Sequence, residues 1–275
     1  MMIMMQIHKF LMRKRLILIG LVIVLIGWSV YYSTRTTDPR PVELTGHAVS
    51  AAPDFSSITD IAEKKEAFFS YLRPGVAFEN QRILQERQQL QRLATRFQQG
   101  KLSSKDKTLA AQLAEQYGLA LNKGNRLSGE WLNAMLQRVD VLPEALVLTQ
   151  AANESAWGTS RFATEANNYF GQWCYSPGCG VVPAARGAGM THEVAKFSSV
   201  QESIHRYFMN VNRNAAYRDL RNIRQQLRKN DENLFSVDSA LALSNGLLRY
   251  SERGADYVQD VQAMIRHNQV YWVEQ

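Results

Sequence analysis

The sequence is poor in cysteine, since Cys174 and Cys179 are the only two among 275 residues. A structural zinc site needs four protein ligands, and no CxxC or HxxxH pair lies near these two. The Pro177-Gly178 dipeptide between them is typical of a turn that brings its flanking residues together. We therefore predict a disulfide-closed loop in an oxidising compartment, and no metal site.

A phosphate-binding G-x-x-x-x-G-K-[ST] loop is also missing, so nucleotide chemistry has no support and we expect no cofactor. The formal net charge is +7, which favours anionic surroundings such as a cell wall or a membrane surface. We interpret one basic cluster as a solvated helix face and expect no nucleic-acid partner. Its members are Arg218, Arg221, Arg224, Arg228 and Lys229.

A long uncharged hydrophobic run covers residues 16–32. Its length is close to the lower limit of about 17 residues for a membrane-spanning helix, and Trp28 lies near its far end, where interfacial aromatics belong. Basic residues precede the run, which predicts a cytoplasmic start and an exported remainder. We predict a single-pass inner-membrane anchor within 1–32 and a periplasmic domain beyond it. A cleaved signal peptide is the alternative.

Hydrophobic spacing divides the rest of the chain. Residues 33–57 lack periodicity and predict a linker. Residues 58–140 predict a helical subdomain, with Pro74-Gly75 separating two helices. Residues 141–275 predict further helices around a small glycine-rich β lobe at 172–197. The predicted fold class is therefore mainly α, with a helical core and a small β lobe.

An acidic residue ends the most apolar predicted helix, in the stretch VLPEALVLTQAANESAWG at 141–158. Pro143 suits a helix start and Gly158 a helix stop, so Glu154 falls in the last turn. The negative end of the helix dipole and the apolar neighbours both raise the pKa of a carboxyl there. A glutamic acid that stays protonated near neutral pH can serve as a general acid. The simpler alternative is a surface residue, or one paired with Arg161.

Amide and aromatic side chains follow this helix. Asn168, Tyr169 and Trp173 suit the hydroxyl edges and CH faces of sugar rings, so we predict that they bind substrate. For Tyr169 and Trp173, a role in the core is the alternative. We interpret Trp157 and Phe170 as core residues.

Several segments together resemble the bacterial glucosaminidase family, glycoside hydrolase family 73, and its Bax branch in particular. They are NESAWGTS, NNYFG, the two-cysteine loop, FSSVQESI and YSERGADYVQDVQAMI. The family includes the flagellar peptidoglycan hydrolase domain, and the resemblance covers about residues 60–270. It implies a lysozyme-like fold that cleaves peptidoglycan glycan strands between N-acetylglucosamine and N-acetylmuramic acid.

The same resemblance assigns roles to individual residues. It makes Glu154 the catalytic acid and places Tyr257 beside the cleft, with Tyr250 as the second choice. Family relatives also carry an acid on the β lobe, and Glu193 falls in that region, so it is the candidate base. Assistance by the substrate's acetamido group would remove the need for a second carboxylate.

Three other functions stay open on the sequence. A lytic transglycosylase would use one acid and leave an anhydro sugar. A catalytically inactive protein would only bind peptidoglycan. A membrane-tethered interaction protein would use the helices at 59–99 to dock a partner.

Overall fold

The computed structural model describes residues 46–272, apart from 123, 125, 184, 185, 187, 188 and 190. The predicted anchor in 1–32 lies outside these residues. Within the described part of the chain, no helix has the length and apolar character needed to cross a membrane. The described residues belong to one compact unit.

Helices dominate the described chain, with three short strands between the fifth and sixth helix. The helices are α1 Ile61–Gln98, α2 Ser104–Gln116, α3 Gly129–Arg138, α4 Glu144–Ser155, α5 Arg161–Ala166, α6 Val200–Arg213, α7 Arg218–Lys229, α8 Val237–Ser244 and α9 Ala255–His267. The strands are β1 Trp173–Cys174, β2 Gly180–Val181 and β3 Glu193–Ala195. They form an antiparallel sheet in the order β1-β3-β2. The predicted helical core and small β lobe are confirmed.

The first helix runs unbroken through Pro74, so the predicted division into two helices at Pro74-Gly75 is wrong. Gly75 shows why the helix continues. A Cβ atom there would lie 2.7 Å from Gln201 Oε1 and 2.8 Å from Ile204 Cδ1, both on α6. Close packing of α6 against this part of α1 favours the continuous helix, and it outweighs the local helix-breaking tendency of proline.

A single hydrophobic core joins the segments that the sequence separates. Helix α4 packs against α1, α8 and α9, and nearly all of its residues are buried. The helices of 58–140 therefore share a core with 141–275. The described end of the predicted linker also packs on this core, since Val49 and Phe55 are buried and Phe55 contacts Phe68.

The basic helix α7 is less solvated than predicted, because Arg221 and Arg224 are buried. Arg224 donates hydrogen bonds to the main-chain oxygens of Asp140 and Val141, and Arg221 donates to that of Val211. Buried arginines are tolerated when their donors are satisfied in this way. The interpretation of this cluster as a solvated face is therefore wrong for these two residues.

Helix α4 ends in an unusual turn. Ala156 and Trp157 have positive φ angles of 49° and 58°, and Gly158 follows at 77°. The Ser155 hydroxyl donates to the Ala151 carbonyl oxygen and accepts from the Gly158 N–H, which secures the turn. The helix thus stops three residues before the predicted Gly158, and Glu154 lies in its last turn as predicted.

Candidate active site

Glu154 is half-buried at the end of α4. Burial raises the pKa of its carboxyl above the ordinary value, and hydrogen bonds from Tyr257 and Asn153 oppose this rise only in part. None of the ion pairs found among the described residues includes Glu154. Arg161, the alternative partner, donates instead to the Val182 carbonyl oxygen. The predicted rise in pKa is confirmed.

The glycine of the NNYFG segment leaves room for this carboxylate. Gly171 has a φ of +61°, and a Cβ atom there would lie 3.0 Å from Glu154 Oε2. The position therefore requires glycine for its backbone conformation and for its contact with the acid.

Four tyrosines from distant parts of the chain face Glu154. They are Tyr207 on α6, Tyr217 before α7, Tyr250 after α8 and Tyr257 on α9. The Tyr250 and Tyr257 rings stack at 5.4 Å, and Tyr217 lies 5.9 Å from Tyr250. Burial first, and the nearby Glu154 charge second, keep the Tyr257 pKa above its ordinary value, and the same two causes act on the other three tyrosines. Four neutral tyrosines thus lie near enough to the acid to interact with its charge.

A buried hydrogen-bond chain leads into this cluster. The Tyr207 hydroxyl donates to Gln150 Oε1 at 2.5 Å, and Gln150 Nε2 donates to the Tyr257 hydroxyl oxygen at 2.9 Å. The Tyr257 hydroxyl also lies close enough to the Glu154 carboxyl to act on its pKa. Gln150 is one helical turn before Glu154 on α4, so the same face of the helix presents both residues.

Glu193 lies in a different environment, on β3 of the β lobe. Its Oε1 accepts a hydrogen bond from the Gly178 N–H at 3.0 Å, and its Oε2 accepts one from the Gly180 N–H at 2.8 Å. These two bonds hold the pKa of Glu193 below its ordinary value. The carboxylate therefore fastens β3 to the cysteine loop, and its assignment as the base stays a prediction.

The predicted disulfide between Cys174 and Cys179 is confirmed, with a Cα–Cα distance of 6.1 Å. The two sulfur atoms and the Glu193 carboxylate lie within 4.8 Å of one another, a spacing that a metal ion could bridge. Because the sulfurs are bonded to each other, neither is a free thiolate ligand. The disulfide therefore closes the cysteine loop, and Glu193 holds that loop against β3.

Comparison with known proteins identifies the family of this chain. The sequence profile of the glucosaminidase family, described as mannosyl-glycoprotein endo-beta-N-acetylglucosaminidase, matches residues 129–270. The chain is 34% identical over 220 residues to "Protein bax" of Escherichia coli (strain K12). The aligned residues make up 80% of this chain and 75% of that protein. The chain belongs to the glucosaminidase family. Its fold is lysozyme-like and its family is one of glycoside hydrolases, whereas no solved structure matches the chain significantly.

Two predicted substrate-binding residues of this family member lie in the core. Tyr169 is only 1% exposed, and its ring lies 6.1 Å from that of Phe68. Asn168 is buried as well, and its amide donates to the carbonyl oxygens of Gln172 and Ala195, which ties the NNYFG turn to β3. This burial gives both residues a structural role, so their contact with a glycan stays a prediction.

The other two predicted substrate-binding residues are more accessible. Trp173 on β1 is 49% exposed, and the His192 ring meets its edge at 4.3 Å. Tyr250 is half-buried, and its hydroxyl donates to the Phe170 carbonyl oxygen at 2.8 Å. The Trp173 ring is therefore accessible to solvent, and its contact with a glycan stays a prediction, whereas Tyr250 joins the NNYFG segment to the tyrosine cluster.

Sequence reasoning missed Tyr207, Tyr217 and Gly171 as neighbours of Glu154. Tyr217 appears in the sequence only as one apolar position of a helix, and Tyr207 as one residue within FSSVQESIHRYF. Gly171 carried a signal, because a glycine after an Asn-rich turn indicates a positive φ angle. What this glycine contacts could not be read from the sequence.

Proposed function

We propose that this glucosaminidase hydrolyses the glycan strands of peptidoglycan, with Glu154 as the general acid. The observation that carries the proposal is a half-buried carboxyl whose pKa burial raises and whose neighbours are neutral hydroxyl and amide groups. A carboxylic acid with a raised pKa holds its proton to higher pH than an ordinary carboxyl does, and it can deliver that proton to a leaving group.

The proposed reaction begins with protonation of the glycosidic oxygen by Glu154, as the bond from that oxygen to the anomeric carbon breaks. Positive charge develops on the sugar in an oxocarbenium-like transition state. Water adds to the anomeric carbon and loses one proton, which Glu193 accepts if it is the base. With participation of the substrate acetamido group, the acetamido oxygen attacks first and water then opens the resulting ring.

Substrate binding is assigned to the accessible side of the site. We propose that the exposed ring of Trp173 stacks on a sugar. Tyr257 and Tyr250 would line the cleft around Glu154. Asn168 and Tyr169 would act indirectly, because they hold the NNYFG turn that brings Gly171 against the acid.

The test is the release of reducing ends from purified peptidoglycan by the wild type and by Glu154→Gln. We expect a loss of about 10²- to 10⁴-fold, because glutamine cannot donate the proton. Glu165→Gln, at an exposed position on α5, is the matched control and should keep full activity. Equal rates for wild type and a folded Glu154→Gln would remove Glu154 from the mechanism.

A lytic transglycosylase is the second candidate, and one observation favours it. Both oxygens of Glu193 already accept main-chain hydrogen bonds, whereas a transglycosylase needs only one acid. Mass spectrometry of the products separates the reactions, because hydrolysis adds one water to each cleaved bond and transglycosylation leaves an anhydro sugar.

For location, we propose a periplasmic domain tethered to the inner membrane by residues within 1–32. The support is the uncharged run at 16–32 and the basic residues before it, together with a disulfide that suits an oxidising compartment. Fractionation of intact cells, with the domain tested for digestion by protease added to spheroplasts, checks this proposal. Recovery in the cytosol would contradict it.

A further inference from the structure

We propose that Tyr207 and Gln150 are positioning residues that turn the hydroxyl proton of Tyr257 towards Glu154. The importance of this direction for catalysis rests on the proposed function. The direction itself is a property of the folded chain that can be measured without substrate.

Tyr207, Gln150 and Tyr257 form one continuous hydrogen-bond path that ends beside Glu154. Tyr207 comes from α6, Gln150 and Glu154 from α4, and Tyr257 from α9. The two measured links are 2.5 Å from the Tyr207 hydroxyl to Gln150 Oε1 and 2.9 Å from Gln150 Nε2 to the Tyr257 oxygen. Tyr207, Gln150 and Tyr257 are all buried, so water does not substitute for any of these partners.

The chemistry of the groups sets one direction for the path. An ionised Glu154 only accepts hydrogen bonds, so the single hydroxyl proton of Tyr257 must point towards it. The Tyr257 oxygen is then free to accept, and Gln150 Nε2 donates to it. Gln150 Oε1 consequently needs a donor, which is the hydroxyl of Tyr207. Each bond in such a chain polarises and strengthens the next.

Loss of the Tyr207 hydroxyl removes what holds the Gln150 amide in this orientation. A reversed amide would present its oxygen to Tyr257, and Tyr257 would then donate to Gln150 instead of Glu154. The rings at both ends limit other rearrangements, because Tyr207 stacks on Phe170 at 4.2 Å and Tyr257 is stacked on its neighbour Tyr250.

The titratable groups that act on Glu154 are the four tyrosines at 207, 217, 250 and 257, which come from α6, the turn before α7, the segment after α8, and α9. All four have a raised pKa and are neutral at neutral pH. The Tyr257 hydroxyl is thus the main group that opposes the effect of burial on the pKa of Glu154. Its loss raises the pKa of Glu154.

The experiment is a carbon-13 NMR titration of the glutamate carboxyl carbons in the full-length chain, with the Glu154 signal assigned by its absence in Glu154→Gln. We expect Tyr257→Phe to raise the pKa of Glu154 by about one unit, because a hydrogen bond to a charged group is lost. Tyr207→Phe should raise it by roughly half a unit or more. The double variant should match Tyr257→Phe alone, because Tyr207 acts only through Tyr257.

Tyr117→Phe is the matched control, because Tyr117 is equally buried and its hydroxyl donates to Glu86 at 2.5 Å. It should leave the Glu154 titration unchanged. An unchanged Glu154 pKa in Tyr207→Phe, or additive shifts in the double variant, would overturn the proposal. An inactive wild type that still shows the coupled shifts would instead contradict the proposed function alone. If the wild type cleaves peptidoglycan, the alkaline limb of its pH profile of kcat/KM should move to higher pH in Tyr207→Phe.

Discussion

Glu154 at the tip of the helical core and Glu193 in the β lobe are both shielded from water, yet their pKa values move in opposite directions. Burial raises the pKa of Glu154, and its neutral partners Tyr257 and Asn153 offset this rise only in part. The Gly178 and Gly180 N–H groups lower the pKa of Glu193, which is only 7% exposed. The kind and number of hydrogen-bond donors, and not exposure alone, determine whether the pKa of a shielded carboxyl is raised or lowered.

Asp140 extends this comparison to a third carboxylate. It is buried more deeply than Glu154, but its pKa is lowered. Burial raises this pKa, and the charges of Arg87, Arg228 and Arg224 outweigh that effect. Cations thus make Asp140 a structural anion at the start of the segment that leads to α4, whereas Glu154 has no cationic partner among the described residues and its pKa is raised.

Of the substitutions that test this comparison, Gly171→Ala should have the largest effect, because it acts directly on Glu154. The new methyl group would press on Glu154 Oε2, at 3.0 Å from the ideal Cβ position, and displace the carboxyl. We expect peptidoglycan cleavage to fall on the order of 10²-fold, since small displacements of a catalytic group have costs of this size.

Gly100→Ala is the control for this prediction. Gly100 has a similar φ of +66°, but no atom lies within 4 Å of its ideal Cβ position. It should share the backbone strain of Gly171→Ala, which is measured by thermal unfolding, and keep its activity. Similar losses of activity in both variants would show that strain, and not contact with Glu154, is responsible.

A smaller effect is expected from Cys174→Ser combined with Cys179→Ser. The bond closes a short loop, with a sequence separation of 5, so its removal should lower the free energy of unfolding by about 2 kcal/mol. Guanidinium unfolding of the variant and the oxidised wild type measures the difference. The reduced wild type should match the variant, and a variant as stable as the oxidised wild type would show that the loop needs no cross-link.

The smallest expected effect is that of Glu193→Gln on stability. In Glu193→Gln an NH2 donor replaces one of the two carboxylate oxygens, so the N–H group of Gly178 or of Gly180 faces a donor and loses its acceptor. We expect a lower Tm at pH 7, by roughly a few degrees. Activity per folded molecule tests the separate prediction of a base, because a loss above about 10²-fold would support that role.

The pH dependence of this variant follows from the lowered pKa of Glu193. A carboxyl with a lowered pKa stabilises the fold fully above its ordinary pKa, and this stability is lost as the pH falls through the folded value. The Tm difference between wild type and Glu193→Gln should therefore be largest at neutral pH and shrink below the ordinary value of 4.5.

Local features of the chain were predictable because their physical causes are local. Pro143, the apolar run and the small residues around Glu154 define the helix and place the acid in its last turn. The turn between Cys174 and Cys179 brings the two thiols together. The prediction failed at Pro74, where contacts with a helix more than a hundred residues away keep α1 continuous.

The sequence by itself determined the family, the helical character and the position of one acid at the end of an apolar helix. Only the tertiary structure decided what surrounds that acid, because Tyr207 and Tyr257 come from helices far along the chain. It also decided that Glu193 accepts two main-chain hydrogen bonds. A pKa depends on distances between groups in space, and sequence spacing fixes such distances only within one helix or turn.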